Sequence, residues 1–293
     1  MRIATWNVNS LNARLDKVWW WLERARPDVL LMQETKLADA AAPHDAFRER
    51  GYQLAHHGEG RWNGVAIASR IGLDQVISSF GDPPRAPSTP EVGDDEPLAE
   101  ARMVSAVCGG IRVVSLYAPN GRSVDSEFYR AKLAWYDRLA RWLGSSCDPG
   151  QPLLLGGDFN VAPEDADVWD PARCHGGTHV SPPERDAFAR LGRWGLVDAY
   201  RLHCKEPERY TWWDYRAGNF HKNFGMRIDH LLVTGPLADR VRWAEIDREA
   251  RKGKPLPSDH APLVIDVDAP GHPFDAGWKS AEARIAARRT GGR

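Results

Sequence analysis

Short apolar runs recur along the chain and predict β-strands. They are rich in Val, Ile and Leu and are bounded by Gly, Pro, Asn and Asp, which is typical of buried strands. The predicted strands are Arg2–Val8, Asp28–Gln33, Gly64–Ser69, Arg102–Val107, Ile111–Tyr117, Pro152–Gly156, Arg227–Val233 and Pro262–Val267.

Between these runs, apolar side chains recur every three or four residues, which predicts amphipathic helices. The predicted buried faces are Leu15, Val18, Trp19 and Leu22 in a first helix, Phe128, Trp135, Leu139 and Trp142 in a second helix over residues 125–143, and Phe188 and Leu191 in a third helix after Pro183. Strands and helices that alternate in this way predict α/β layers, with two sheets inside and helices outside.

Composition supports a folded, globular chain and restricts its partners. The 293 residues include 13 Trp and are 42% hydrophobic, which excludes disorder throughout the chain. Lys and Arg number 39 against 40 Asp and Glu, so the net charge is −1 and no cationic field covers the whole molecule. A polyanionic partner would therefore need clustered positive charge or a bound metal ion.

Cysteine usage and the N-terminus favour a reduced, cytoplasmic protein. The four cysteines lie far apart and form no Cys-x-x-Cys pair. The strand pattern begins at Arg2, so no secretion signal is expected. No apolar run approaches the roughly 18 residues of a membrane helix, so no membrane partner is expected.

Two segments depart from the alternating pattern. Residues 81–98 contain five prolines and a surplus of acidic residues, which predicts an extended surface loop. From about Ala269 the chain is small, polar and basic, and a solvated terminus is expected there.

Polar side chains with metal-binding or catalytic chemistry follow several of the predicted strands. They are Asn7 and Asn9, Glu34, Asp158 and Asn160, Asp229, and Asp259 with His260. Each one alone is more often a turn or a helix cap. Sheet topology can bring strand ends to one edge, however, and carboxylate and amide oxygens suit Mg²⁺. Together they predict one oxygen-rich site.

The same residues stand in a series of motifs. These are Trp6-Asn7-Val8-Asn9, Gln33-Glu34-Thr35-Lys36, Tyr117-Ala118-Pro119-Asn120-Gly121, Gly157-Asp158-Phe159-Asn160, Arg227-Ile228-Asp229 and Ser258-Asp259-His260-Ala261-Pro262. In this order they closely resemble the exonuclease III family of apurinic/apyrimidinic endonucleases, within the endonuclease/exonuclease/phosphatase superfamily. The resemblance implies a four-layer α/β sandwich of two packed mixed sheets. It implies one catalytic domain over residues 1–268, carrying the 81–98 insert, and a basic tail over residues 269–293.

The resemblance also implies a role for each residue of the site. Glu34 is expected to be the principal Mg²⁺ ligand, and Mn²⁺ to substitute. Asn7, Asp158, Asn160 and Asp259 are expected in or near the metal shell. Asp158 would orient or deprotonate the attacking water, and Asn160 would bind the phosphoryl oxygen. Tyr117 would contact the phosphate or the leaving oxygen, and Asp229 would orient His260. Trp212, Met226 and Ile228 are expected to line an abasic-sugar pocket, and Arg102 to contact DNA.

The expected activity is Mg²⁺-dependent incision of double-stranded DNA 5′ to abasic sites, leaving a 3′-hydroxyl. Exonuclease action from 3′ ends and 3′-end cleaning are expected beside it, by a monomer that associates with the nucleoid through DNA. Two alternatives remain open. One is a phosphoesterase of the same superfamily that acts on RNA or a signalling phosphoester. The other is a catalytically silent binding relative. One departure from the family is His230, where many relatives carry an apolar or aromatic residue.

Overall fold

A computed structural model describes residues 1–81 and 100–291. Nearly all of the predicted acidic loop at 81–98 lies outside these residues. Within them, the strands are β1 Arg2–Asn7, β2 Val29–Gln33, β3 Gln53–His57, β4 Val65–Ser69, β5 Asp74–Ser78, β6 Met103–Cys108, β7 Ile111–Tyr117, β8 Leu153–Asp158, β9 Leu196–Asp198, β10 Asp229–Thr234, β11 Val241–Ile246 and β12 Leu263–Val267.

Helices of different lengths lie between the strands, and one more follows β12. They are α1 Leu11–Ala25, α2 His44–Arg48, α3 Glu127–Ser146, α4 Pro171–Cys174, α5 Pro182–Trp194, α6 Ala199–His203, α7 Asn219–Lys222, α8 Gly235–Ala238 and α9 Lys279–Gly291. Ser126 caps α3 by accepting the Tyr129 N–H, and Ser181 and Glu184 form a capping box at the start of α5. No helix in the described part of the chain is long and apolar enough to cross a membrane.

In the described ranges the strands form two six-stranded mixed sheets. Their orders are β11-β12-β1-β2-β4-β3 and β5-β6-β7-β8-β10-β9. The β1–β2 pair is parallel in the first sheet, and the β7–β8 pair is parallel in the second. Helices α1 and α3 supply the crossovers that parallel neighbours require. The carboxyl ends of both parallel pairs carry predicted site residues.

The core consists of three apolar layers, which give the predicted four-layer sandwich. Side chains such as Leu31, Val113 and Leu231 fill the space between the two sheets. Val18 and Trp21 of α1 cover the outer face of the first sheet, and Trp135 of α3 covers that of the second. The predicted fold is therefore confirmed.

The eight predicted strands are present, with ends shifted by up to two residues. One predicted buried position and one predicted solvated segment need correction. Phe128 lies in the first turn of α3 and is 37% exposed, with the Arg122 guanidinium 3.5 Å from its ring centroid. The segment after Ala269 is not wholly solvated, because Trp278 is buried and donates its indole N–H to the Ile246 carbonyl at 2.8 Å.

Candidate active site

The site lies where four strand ends meet across the two sheets. Asn7 ends β1 beside Gln33, and Tyr117 ends β7 beside Asp158. Asp229 begins β10 and pairs with Asp158. The loop before β12 adds His260. The polar residues that are far apart in sequence therefore converge because their strands share one edge.

Asn7 bridges the two sheets through its carboxamide. Its Nδ2 donates to Glu34 Oε1 at 2.8 Å and to Asp158 Oδ2 at 3.0 Å, and its Oδ1 accepts the Asn9 N–H at 3.0 Å. The amide nitrogen faces the carboxylates, so Asn7 orients them here rather than offering its oxygen as a ligand. Asn7 therefore lies next to both proposed ligands, and its expected place in or near the metal shell stays a prediction.

Glu34, Asp158 and His260 have ligand atoms within 4.8 Å of one another. Burial raises the pKa of Asp158 to about 7; the negative charges of Asp229 and Glu34 act in the same direction, and His260 opposes them. Lys36 Nζ lies 2.8 Å from Glu34 Oε2 and holds the outer side of that carboxylate. Two carboxylates of this kind in one buried cluster are suited to a cation.

His260 and Asp229 form a buried pair. The imidazole Nδ1 lies 2.8 Å from Asp229 Oδ2, and Nε2 lies 3.9 Å from Asp158 Oδ2. Burial alone would lower the pKa of His260, but Asp229 and the other nearby carboxylates raise it to about 10. An imidazolium has no free lone pair, so a charged His260 offers its Nε2–H to the site as a hydrogen-bond donor.

Tyr117 and Arg102 stand together at the rim. The Arg102 guanidinium lies 4.8 Å from the Tyr117 ring centroid and donates to the Tyr117 carbonyl at 3.3 Å. Arg102 also pairs with Glu100 and is 9% exposed, so it reaches the site through Tyr117. Burial, together with the charge of Glu34, raises the pKa of Tyr117 well above its usual value, which keeps the hydroxyl protonated.

Asn160 is held in the left-handed conformation, with φ 52°, directly after β8. Its Nδ2 donates to the Ala118 carbonyl at 2.9 Å, and its Oδ1 accepts from Asn120 at 3.1 Å. The buried Lys132 ammonium donates to the Asn160 carbonyl at 2.7 Å and pairs with Glu184. The side chain is thus fixed from several sides at the edge of the site.

Asp259 is engaged by two donors and lies outside the cluster of three. Its Oδ1 accepts from Asn9 at 2.9 Å, and its Oδ2 accepts the Trp212 indole N–H at 3.1 Å. Trp212 in turn packs with Met226 and Ile228 in one small apolar cluster. The three residues expected to line a pocket are therefore brought together, while Trp213 is buried in the core.

Arg227 is buried in an ion-pair network and does not face the surface where DNA would bind. Its side chain is 1% exposed, and its guanidinium donates to Asp167 Oδ1 at 2.7 Å and to Asp198 Oδ2 at 2.6 Å. The same guanidinium donates to His230 Nδ1 at 2.9 Å, and His230 Nε2 lies 2.9 Å from the Val161 carbonyl. His230 thus belongs to this buried ion-pair network.

Some residues that support the site carried no recognisable signal in the sequence. Thr211 Oγ1 accepts the backbone N–H groups of Ile228 and Asp229, both at 3.1 Å. Ser258 Oγ donates to the Asn7 carbonyl at 2.7 Å. A hydroxyl in a loop is too common for its partner to be inferred, although Ser258 stands inside a quoted motif and Thr211 directly precedes the predicted Trp212.

Known proteins share this fold and this site region. The model of the endonuclease/exonuclease/phosphatase family matches residues 4–260. Exodeoxyribonuclease III of Haemophilus influenzae is 32% identical over 275 residues, which cover 90% of this chain and 98% of the relative. An AP endonuclease structure from Archaeoglobus fulgidus matches with a TM-score of 0.84 and 36% identity, over 92% of this chain and 100% of that one.

A structure of a 3′ phosphatase from Neisseria, bound to a product DNA hairpin, matches with a TM-score of 0.81 and 36% identity. It covers 92% of this chain and 100% of that one. Matches of this length and identity extend through all the strands that carry the site. The chain belongs to the endonuclease/exonuclease/phosphatase family and, within it, to the group of the exodeoxyribonuclease III enzymes.

Proposed function

We propose that this protein is a Mg²⁺-dependent DNA-repair phosphodiesterase that incises DNA 5′ to abasic sites and leaves a 3′-hydroxyl. The observation that carries the proposal is the cluster of Glu34, Asp158 and His260 at one sheet edge, backed by Asp229. Two carboxylates beside an imidazolium provide a cation site, a base and a proton donor within a few ångströms. These are the groups that phosphodiester hydrolysis needs.

The relatives support DNA as the substrate. The named relatives are an exodeoxyribonuclease III, an AP endonuclease and a 3′ phosphatase solved with product DNA. We therefore include 3′–5′ exonuclease and 3′-end-cleaning activity in the proposal. Double-stranded DNA with abasic sites or 3′ ends is the proposed partner, and the protein is proposed to act as a monomer.

The residues present fit a divalent cation. Glu34 and Asp158 would hold it, because their oxygens converge and Asn7 orients both carboxylates from behind. When bound, Mg²⁺ or Mn²⁺ would neutralise charge on the phosphate and lower the pKa of an attacking water. Burial and the negative charges of Asp229 and Glu34 together raise the pKa of Asp158, and a cation bound here would offset that clustered negative charge. Asp259 and Asn160 are proposed to support the shell from its rim.

The chain's own groups supply the proton transfers. Asp158, held by the Asn7 carboxamide and 3.9 Å from His260 Nε2, is proposed to orient the attacking water and to accept its proton. His260, held by Asp229, donates a hydrogen bond to the phosphate. The protonated Tyr117 hydroxyl donates to the phosphate or to the leaving 3′-oxygen. Asn160 Nδ2 carries two hydrogens, of which Ala118 accepts one, and the second is proposed to meet the phosphoryl oxygen.

Selectivity for abasic sites requires a feature other than the phosphate contacts. Trp212, Met226 and Ile228 form an apolar wall that is linked to the site through the Trp212–Asp259 hydrogen bond. We propose that this wall receives the extruded sugar and excludes an intact nucleotide. A nucleotide without a base has little stacking to lose, which favours its extrusion.

One assay separates this proposal from the alternatives. The pure protein is offered an abasic DNA duplex, the matching undamaged duplex, RNA, inositol phosphates and sphingomyelin, each with Mg²⁺ and with excess EDTA. We expect Mg²⁺-dependent cutting of the abasic duplex, with the product carrying a 3′-hydroxyl. Preferred hydrolysis of RNA or of a small phosphoester would contradict the proposal, and so would DNA binding without any cutting.

A further inference from the structure

Three side chains that form a hydrogen-bonded chain lie next to the turn of residues 34–36 that follows β2, here called the Glu34 turn. Thr35 Oγ1 lies 2.8 Å from His56 Nε2, and His56 Nδ1 lies 2.7 Å from Asp39 Oδ1. The chain joins the end of β2 to β3 and to the turn that contains Asp39. It is separate from the His260–Asp229 pair, and the roles described above do not use it.

The direction of each hydrogen bond follows from the chemistry of the groups. A carboxylate only accepts, so His56 Nδ1–H donates to Asp39. Burial lowers the pKa of His56 although Asp39 acts to raise it, which favours the neutral imidazole, in which Nε2 is the acceptor. The Thr35 hydroxyl therefore donates to Nε2. Asp39 Oδ1 also accepts the Gly58 N–H at 2.8 Å, which fixes the far end.

Thr35 and the His56 side chain are buried too deeply to touch a substrate. Thr35 is 0% exposed, and the side chain of His56 is 1% exposed. A Cβ on Gly64 would lie 2.2 Å from Thr35 Oγ1, and one on Gly58 would lie 2.5 Å from His56 Cε1. Both positions thus require glycine for close approach. A hydroxyl in such a space acts on its neighbours and cannot act as a nucleophile.

The neighbours of Thr35 are in an unfavourable backbone conformation. Glu34 has φ 51° and Lys36 has φ 53°, so one non-glycine residue on each side of Thr35 is in the left-handed conformation. Such residues persist only where the surrounding structure holds them. Four backbone bonds do so: Thr35 N–H and Lys36 N–H donate to the Gly64 and Asn63 carbonyls at 3.1 and 3.0 Å, and the Glu34 and Thr35 carbonyls accept from Ser10 N–H at 2.7 Å and Leu11 N–H at 3.0 Å. The side-chain bond to His56 adds an anchor on the Thr35 side chain.

We propose that Thr35, His56 and Asp39 are positioning residues that hold the Glu34 turn and thereby aim the Glu34 carboxylate into the cation site. The inference rests on the proposed role of Glu34 as metal ligand. It assigns that positioning to a hydroxyl–imidazole–carboxylate chain on the side of β2 away from Asn7. Breaking the Thr35–His56–Asp39 hydrogen bonds leaves every proposed ligand present but releases the turn that directs the Glu34 carboxylate.

The test measures Mn²⁺ affinity of the full-length protein without DNA, by the electron paramagnetic resonance signal of free Mn²⁺. Thr35→Val removes the hydroxyl at nearly constant shape, and Thr35→Ser retains it. His56→Ala breaks the chain, and His57→Ala is the matched control, because His57 contacts Ser79 instead. We expect Thr35→Val and His56→Ala to bind Mn²⁺ roughly 10–100-fold more weakly. Thr35→Ser and His57→Ala are expected to stay near the wild type.

Two further variants make the result decisive. Asp39 has an exposed side chain, so Asp39→Ala is expected to fold normally and still to weaken Mn²⁺ binding, by a smaller factor. If Glu34→Gln weakens binding while Thr35→Val, His56→Ala and Asp39→Ala all bind as the wild type does, the inference is overturned and the role of Glu34 stands. If Glu34→Gln binds Mn²⁺ normally, the proposed metal site fails and the inference fails with it.

Discussion

His260 and Asp229 show how one residue depends on another at the smallest scale. An isolated buried imidazole loses its proton, but the Asp229 carboxylate at 2.8 Å keeps His260 charged and fixes its orientation. The two side chains therefore act as a unit. The same carboxylate contributes to the raised pKa of Asp158, so Asp229 influences both the donor and the proposed base.

We predict that Asp229→Asn and His260→Gln each lower kcat by about 10²–10⁴-fold and that the double variant loses little more. The physical reason is that Asp229 acts through His260. Asp229→Asn should also lower the pKa of His260, since it removes the charge that raises it. Single-turnover rates on an abasic duplex measure the coupling. Two losses that simply multiply would show that the residues act independently.

His179, which lies just before α5 and contacts the Asn160 carbonyl, is expected to make the stability depend on pH. Burial, with a contribution from Lys132, lowers its pKa from 6.5 to about 4. Below pH 6.5 His179 is therefore protonated in the unfolded chain, whereas in the folded protein it stays neutral down to about pH 4. The contribution of His179 to the free energy of unfolding is fully present above pH 6.5. It falls by about 3 kcal/mol as the pH drops to 4.

The measurement is urea unfolding at pH 7 and pH 4.5, with His179→Asn as the comparison. Asn tolerates the φ of 76° at this position and places a donor where His179 Nδ1 meets the Asn160 carbonyl at 2.6 Å. We expect the wild type to lose about 2–3 kcal/mol more than the variant between the two pH values. Equal losses would contradict the prediction.

Residue types at the strand ends are enough to predict which side chains come together, because strand ends meet at sheet edges. What they could not give is how each side chain is used. The Asn7 amide nitrogen faces the proposed metal-ligand carboxylates. The Arg227 guanidinium is fully engaged in ion pairs with Asp167 and Asp198. Both outcomes depend on neighbours that are distant in sequence, which no local pattern records.

At the scale of elements, the C-terminal segment is part of the fold. Trp278 packs against Trp213 with ring centroids 6.3 Å apart, and the Arg209 guanidinium lies 4.5 Å from its ring. Trp213 in turn donates its backbone N–H to the Asp259 carbonyl at 3.1 Å. The segment therefore supports the loops that carry Trp212 and Asp259.

We predict that Trp278→Ala lowers the free energy of unfolding by about 3–5 kcal/mol, because it opens a cavity in the core. Trp62→Ala is the matched control, since Trp62 is 60% exposed, and it should change stability by less than about 0.5 kcal/mol. Urea denaturation of both variants tests this. Similar stabilities for the two would mean that the C-terminal segment does not contribute to the core.

The strands that the sequence does not predict have weak apolar patterns. All five residues of β5 are exposed, β9 has three residues, and β11 reads Val-Arg-Trp-Ala-Glu-Ile with charged side chains inside it. β3 carries two histidines at its end. These four strands are at or next to sheet edges, where one face or one side meets solvent and the apolar signal is weak. The central strands were predictable because both of their faces are buried.

At the scale of the whole molecule, a net charge of −1 means that DNA binding must depend on local cations. Arg61 is exposed in the loop before β4, and that loop bonds to the Glu34 turn through the Asn63 carbonyl and Lys36 N. We predict that the logarithm of the binding constant falls by about 0.9 per tenfold rise in salt for each neutralised phosphate.

Arg61→Ala should reduce that slope by about 0.9 if Arg61 neutralises one phosphate. Arg48→Ala is the control, because Arg48 is an exposed arginine on α2 that pairs with Asp45. Fluorescence anisotropy of a labelled abasic duplex across a salt series gives both slopes. A flat salt response of the wild type would argue against a nucleic-acid substrate.

The most direct test of the proposed function is the incision rate of Glu34→Gln on an abasic duplex in Mg²⁺. The control is Glu23→Gln, which removes an exposed carboxylate on α1 and gives the same net charge. We predict that the wild type and Glu23→Gln cut 5′ to the abasic site at equal rates and stop in excess EDTA. Glu34→Gln should lose most of its activity and recover part of it at high Mg²⁺. Full incision by folded Glu34→Gln, or by the wild type in EDTA, would contradict the proposed metal-dependent site.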